Sequence, residues 1–378
     1  MPSVVTALGA TPADLAGSPG PDPLGLTEAL AGVRRVAVLL VDGLGYHLLP
    51  KLAPVAPVLA DALAGRLGRL SPLTCGFPST TPVSLVSLGT GVPPGSHGVV
   101  GFTLNIPGTD RVLNHIEWGD EPDPVQWQPV PTQFARAAAS GVAVTVVGRA
   151  SFAGSGLTVA AYRGGEFRGA DDVDALAAEM LAALTGSTRS LVYGYYGLLD
   201  TAGHVSGVDS PQWMEQAAVV DALVARLVDG VPPDGALLVT ADHGQLDVPP
   251  GHRFDVDTDP RLAAGLRVVA GEPRVRHLYT RPGAQADVVE AWREVLGEAA
   301  WVVPRDEMVA TGWFGTVPPA HLARVGDVVI ACRDTYAVLA SARERPIVAT
   351  FVGYHGSFTP AEMTIPLLLV RNAARGDG

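Results

Sequence analysis

The stretch Val36-Ala-Val-Leu-Leu-Val41, followed at once by Asp42-Gly-Leu-Gly45, decides the fold. A continuous apolar run bounded by turn residues is what a strand buried on both faces requires. An acidic residue at the carboxyl end of such a strand stands where open α/β sheets place their ligands. Read alone, Asp42-Gly43 fits a simple turn equally well.

The pattern recurs along the chain. Val142–Val147 is a further apolar run. Leu191-Val-Tyr-Gly-Tyr-Tyr-Gly-Leu-Leu-Asp200 is a strand leading to an acid, and Ala236-Leu-Leu-Val-Thr-Ala-Asp-His-Gly244 ends in acid and imidazole. Helical spacing lies between the runs, near residues 26–32, 47–66 and 132–141, and over Asp171–Leu184 and Gln212–Val228. This alternation predicts an α/β fold with a mostly parallel central sheet, helices on both faces and right-handed crossovers. Ile365–Val370 returns to that sheet.

Residues 250–345 read differently. Arg274–Thr280, Asp287–Leu296 and Trp301–Val303 suggest a small β-α-β piece. Asp327–Cys332 and Tyr336–Leu339 suggest a hairpin turning at Arg333-Asp334. The predicted organisation is therefore a catalytic domain over residues 1–249 and 346–378, with a small α+β cap inserted at 250–345. Residues 1–27 read as a partly ordered lead-in, and residues 99–131 as an irregular segment holding Trp118 and Trp127.

Composition narrows the class. Of 378 residues, 47% are apolar, enough for a substantial core, while 44 Gly and 32 Pro suit a loop-rich enzyme better than a repeat protein. A net charge of −12 argues against a nucleic-acid polymer as partner, since such binders need a basic face. A small phosphorylated substrate remains compatible, because metals supply local positive charge. Cys75 and Cys332 form no CxxC pair. No leader-like or membrane-length apolar segment is evident, so a cytoplasmic protein without membrane contact is expected.

The chemistry centres on Phe77-Pro-Ser-Thr-Thr-Pro-Val-Ser-Leu-Val-Ser-Leu-Gly-Thr-Gly91 and the following Ser96-His-Gly98. Pro82 suits the first position of a helix, which makes Thr81 its N-cap, and Gly89 and Gly91 end it. A helix start favours anions. A Thr hydroxyl there, bound to a metal, would be placed to attack phosphorus. Thr-Pro is also a common cap with no chemistry. Asp200 and His204, four apart, lie on one face of a helical turn and reach one metal. Asp242 and His243 point in different directions and suit two metals. His355 stands in a glycine-flanked loop.

Together, Val41-Asp-Gly43, Phe77-Pro-Ser-Thr-Thr81 with Thr90-Gly91 and Ser96-His-Gly98, Asp200-x-x-x-His204, Ala241-Asp-His-Gly244 and His355-Gly356 resemble the alkaline phosphatase superfamily, in its nucleotide pyrophosphatase/phosphodiesterase branch. The resemblance implies one metal held by Asp200, His204 and His355. It implies a second held by Asp42, Asp242, His243 and the nucleophile. Its register puts the nucleophile at Thr81, with Thr80 the alternative. It implies hydrolysis of phosphate diesters or nucleotide pyrophosphates through a phosphothreonine, with zinc or manganese as the metal. Phosphomonoesters or phosphonates are the alternative substrates. The branch places an asparagine after Ser-His-Gly to hold a phosphate oxygen. Phe102 occupies that position here, with Thr103 or Asn105 as replacements. His252 and Arg253 are further candidates to touch an anion.

Overall fold

The structure, a computed structural model, describes residues 1–10 and 22–371. Part of the expected lead-in and the polar tail after Arg371 lie outside the described residues. Before the insertion come strands β1 (Arg35–Val41), β2 (Arg69–Thr74), β3 (Ala143–Gly148), β4 (Glu166–Gly169), β5 (Ser190–Tyr196) and β6 (Gly235–Thr240). Within it come β7 (Leu266–Glu272), β8 (Val275–Thr280), β9 (Ala300–Pro304) and β10 (Val328–Cys332). The last strand is β11 (Thr364–Arg371). The helices that matter for the site and core are α1 (Thr81–Thr90), α2 (Val173–Thr185), α3 (Leu198–Ser206), α4 (Pro211–Gly230) and α5 (Gln285–Leu296).

The main sheet has seven strands in the order β2-β11-β6-β1-β5-β3-β4. From β6 to β4 all neighbours run parallel. β11 enters antiparallel between β6 and β2. Successive side chains of β1 serve opposite faces, as strand geometry demands. Val36, Val38 and Leu40 join the core around Val83, Val86 and Phe134. Ala37, Leu39 and Val41 join the core around Met180, Trp213 and Leu227, from α2 and α4. Register then fixes the site. Val41 lies opposite Tyr196, and Leu40 opposite Thr240, so three strands end level with one another.

Two strands that the sequence does not announce lie at sheet edges. β2 alternates between exposed and intermediate positions at a sheet edge, so it lacks the apolar run that betrays its neighbours. β7, at the edge of the cap sheet, is buried except at Arg267, and Arg267, Gly271 and Glu272 break up its apolar run. The cap sheet is antiparallel, in the order β7-β8-β10-β9, and α5 packs on it through Trp292 and Leu296. β8 and β9 both run antiparallel to β10, so the β-α-β reading holds with β10 in between.

The expected hairpin at Arg333-Asp334 does not form. Ala337–Leu339 instead pairs parallel with Arg253–Asp255. Buried arginines draw that segment away from β10. Arg274 donates to the carbonyls of Arg333 and Tyr336, and Arg276 to that of Val338 at 2.7 Å. The segment 99–131 is also more ordered than its sequence suggests. Thr103–Asn105 and Val112–Asn114 pair as a short hairpin. Trp118 and Trp127 are core residues, and Arg324 stacks 3.9 Å above the Trp127 ring.

α1 begins one residue earlier than expected. Thr80, in extended conformation at φ −140°, is the N-cap, and Thr81 is the first helical residue. The Thr81 hydroxyl is therefore not used in capping. Gly91 ends the helix at φ 76°, where a side chain would be strained. Gly89 instead lies inside the helix, where a β-carbon would stand 1.9 Å from the Ala161 carbonyl oxygen. Among the described residues no helix is long and apolar enough to cross a membrane.

Candidate active site and metal centre

Three level strand ends and the start of α1 converge on one point. Asp42 follows β1, Asp242 and His243 follow β6, and Asp200 and His204 project from α3 just beyond β5. His355 comes from the loop before β11, and Thr81 opens α1. Gly43, at φ 73°, packs so closely that a β-carbon would lie 3.0 Å from the Asp200 backbone.

The Thr81 hydroxyl lies 3.2 Å from His243 Nε2 and 3.5 Å from Asp42 Oδ2. His243 Nε2 is also 3.3 Å from Asp42 Oδ1 and 3.4 Å from Asp242 Oδ2. The rings of His243 and His355 stack at 3.5 Å. His355 Nε2 meets His204 Nε2 at 3.2 Å, and His204 Nε2 meets Asp200 Oδ2 at 3.3 Å. The site is thus a row, with Thr81 at one end and His204 at the other.

Each imidazole is held in one tautomer. Nδ1 of His204 donates to the Gly353 carbonyl at 2.7 Å. Nδ1 of His243 donates to that of Gly244 at 3.1 Å, and Nδ1 of His355 to that of Ser79 at 2.9 Å. A carbonyl only accepts, so every Nε2 lone pair faces the centre, as a metal ligand requires. Two such lone pairs facing each other at 3.2 Å repel unless a metal ion or a proton joins them. Asp42 Oδ1 and Asp242 Oδ2 are buried without a hydrogen-bond partner. Asp42, Asp242 and His243, and likewise Asp200, His243 and His355, each bring ligand atoms within 4.8 Å of one another. The residues present therefore fit divalent metal.

A family model described as type I phosphodiesterase/nucleotide pyrophosphatase matches residues 36–358. The chain belongs to that family. Membership makes this phosphodiesterase relative a hydrolase of phosphoric esters. No curated protein matches it significantly by sequence. Among solved structures, murine ectonucleotide pyrophosphatase/phosphodiesterase 5 is similar at TM-score 0.72 and 18% identity, covering 90% of each chain. That murine protein is also known in an inactive threonine-to-alanine form in complex with AMP, at TM-score 0.72 and 17% identity, over 90% of this chain and 88% of that one. Phosphonoacetate hydrolase from Sinorhizobium meliloti 1021, in complex with phosphonoformate, is similar at TM-score 0.67 and 18% identity, covering 90% of each chain. These likenesses concern the fold.

In the family member's site, burial pushes the Asp42 carboxyl well up, and the Asp242 and Asp200 charges push it further. Burial also pushes Asp200 up, but the His204 imidazole, with His355 and His243, brings it below the ordinary carboxylate range. Burial lowers His355, and the neighbouring His243 adds to that.

The remaining candidates separate. Phe102 and Thr103 line a large cavity beside His204 and His355. The Thr103 hydroxyl is engaged with the backbone of Gly271, accepting from its N–H and donating to its carbonyl, both at 2.9 Å. Asn105 does not reach the cavity. It is 1% exposed, and its backbone N–H donates to Tyr279 at 3.2 Å. His252 bonds Thr335 at 2.8 Å and Arg253 bonds the Val248 and Ala349 carbonyls, so both are structural. His97 is buried and bonds Ser87 at 2.9 Å, and burial lowers its pKa to about 3.

Four site residues escape a reading of motifs. Tyr195 donates its hydroxyl to Asp42 Oδ2. Gln245 donates to Asp200 Oδ1 at 3.0 Å. Glu362 and Arg274, both fully buried, pair at 2.7 Å. Glu362 also accepts from Ser357 N at 3.0 Å, so this pair fixes the loop that carries His355. Gln245 adjoins Asp242-His243-Gly244 and was open to discovery by proximity. The others carry no local signal.

Burial raises the Glu362 carboxyl, but the Arg274 guanidinium and the Thr359 and Ser357 bonds more than offset this and hold it below the ordinary range. A depressed carboxyl stabilises the fold above its unfolded pKa, and that stabilisation is lost as pH falls through the folded value. Glu362→Gln leaves Arg274 buried and uncompensated. It should cost about 3 kcal/mol at neutral pH by urea unfolding. The difference from the parent should shrink below about pH 4. A difference independent of pH would refute the ion-pair account.

Proposed function

We propose that the protein hydrolyses phosphate diesters or nucleotide pyrophosphates by attack of Thr81. The observation that carries this is the row of oriented imidazole Nε2 atoms and carboxylates that ends at the Thr81 hydroxyl. Asp200, His204 and His355 would hold one divalent ion, and Asp42, Asp242 and His243, with Thr81, a second. Mixed imidazole and carboxylate donors suit zinc, with manganese the alternative. Such ions, when bound, supply positive charge that favours an ionised Thr81 hydroxyl and stabilises charge on the leaving oxygen.

Thr81 Oγ forms the new bond to phosphorus while the bond to the leaving oxygen breaks, giving a phosphothreonine that water then hydrolyses. His243 and Asp42 hold the Thr81 oxygen in line. Tyr195 fixes Asp42, and Gln245 fixes Asp200. We read residues 250–345 as a cap that supplies part of the substrate wall. The AMP complex of the murine relative supports a small phosphorylated substrate.

Metal-stripped protein restored with zinc or manganese should hydrolyse a chromogenic diester at least about 10-fold faster in kcat/KM than the matching monoester. Monoester preference would favour the phosphomonoesterase reading. Phe102 stands where the diesterase branch has its asparagine and would be the mark of that change. Metal-dependent hydrolysis of phosphonates alone would move the protein to the phosphonate hydrolases.

A further inference from the structure

Two cavities open from opposite ends of the ligand row. At the Thr81 end lies a small one of about 90 Å³, walled by Leu85, Phe152, Tyr162, Phe167, Tyr193 and Tyr195 among others. At the His204 end lies a chamber of about 570 Å³. Displacement at phosphorus is in line, so the leaving group departs on the side opposite Thr81 Oγ. It departs towards His204 and therefore into the large chamber.

Apolar side chains make up a large part of the chamber wall, among charged residues that pair with one another. Phe102, Val112, Ile116, Val268, Ile347 and Phe351 line it. Ile116 and Ile347 are each 50% exposed and Val112 43%, a cost in water that an apolar ligand would remove. Every arginine at the wall or against it already faces a carboxylate. Arg267 pairs with Asp110, Arg345 with Glu117 at 2.9 Å, Arg343 with Asp257 at 3.1 Å and Arg276 with Glu344 at 2.8 Å. Glu272, also on the wall, is buried with one carboxyl oxygen unpartnered. A pyrophosphate leaving group would find no uncommitted cation here.

We infer that the leaving-group subsite is built for a bulky, uncharged, apolar alcohol, so the enzyme is a phosphodiesterase for aryl or long alkyl esters and not a nucleotide pyrophosphatase. This rests on the function proposed above and names its substrate class. The subsite is formed jointly by the segment 102–117 and the cap.

Two substrates with the same thymidine 5′-phosphoryl group test it. One releases 4-nitrophenol and the other, thymidine triphosphate, releases pyrophosphate. The metal-restored protein should favour the aryl ester by about 10-fold or more in kcat/KM, and Ile347→Arg, at a half-exposed position, should reverse or abolish that preference. Glu117→Gln, which frees Arg345, should shift it in the same direction. Preference for the triphosphate in the parent protein, or a ratio unmoved by both substitutions, would overturn the inference while leaving the diester chemistry intact. Failure to cleave either substrate with metal present would overturn that chemistry and this inference with it.

Discussion

Thr81→Ala is expected to lower kcat/KM on a phosphate diester by about 10⁴-fold, roughly 5 kcal/mol of barrier, with metal content unchanged. The size follows from the role. Loss of a binding contact costs one or two powers of ten, but loss of the attacking oxygen leaves water as nucleophile with no held position. The Thr81 hydroxyl is the part of α1 that reaches His243 and Asp42. Thr80 is the buried N-cap, and its hydroxyl lies against Glu272. Thr80→Ala should therefore retain most activity. Rapidly quenched parent enzyme should carry, on the peptide containing Thr81, the added mass of the phosphoryl group together with the ester substituent it keeps, and T81A should not. Full activity in T81A, or label on Thr80, would remove Thr81 from the reaction.

Chelation should be the second large effect. Without metal, Asp42, Asp200 and Asp242 bring three carboxylates to one buried point, and the Nε2 atoms of His204 and His355 face each other. An ion that binds only the folded state adds about 4 kcal/mol at a thousandfold excess over its Kd. With two sites, stripping metal should lower Tm by an order of 5–10 °C in a domain of this size, and restored zinc should recover it. His243→Ala should remove about half of that gain or more, because His243 belongs to one proposed site and its Nε2 lies near the ligand atoms of the other. Equal melting with and without metal would show that the cluster is not a metal centre.

Much of this was legible in sequence, for a physical reason. A strand buried on both faces must be apolar throughout, so β1, β5 and β6 announce themselves, and an acid that ends such a run has no packing reason to be there. Asp42, Asp200 and Asp242 stand out because that pattern recurs, whereas Asp42-Gly43 alone fits a turn equally well. Edge strands can interrupt the apolar run with polar residues, which is why β2 and β7 do not announce themselves. The segment at Ala337–Leu339 was misread because its partner, Arg253–Asp255, is remote in sequence. Thr81 was placed at the N-cap because Pro82 tolerates either of the first helical positions, and only the backbone distinguishes them. Tyr195, Glu272 and the Arg274–Glu362 pair were hidden because each is defined by a distant partner. Asn105 was proposed by its neighbourhood to Ser96-His-Gly98, but the short hairpin turns it into the core.

The place of β11 in the main sheet has a consequence for how the chain is made. β11 sits between β6 and β2, so β2 gains a partner in the sheet only after residues 364–371 have left the ribosome. The ligands themselves stretch from Asp42 to His355. During synthesis, most of the protein can collapse around β1, β5 and β6 while one sheet edge stays open and the ion cluster lacks its last imidazole. Metal capture is thus a late event, and a nascent chain stalled before His355 would be marked by an unpaired edge and a crowded, unneutralised set of acids.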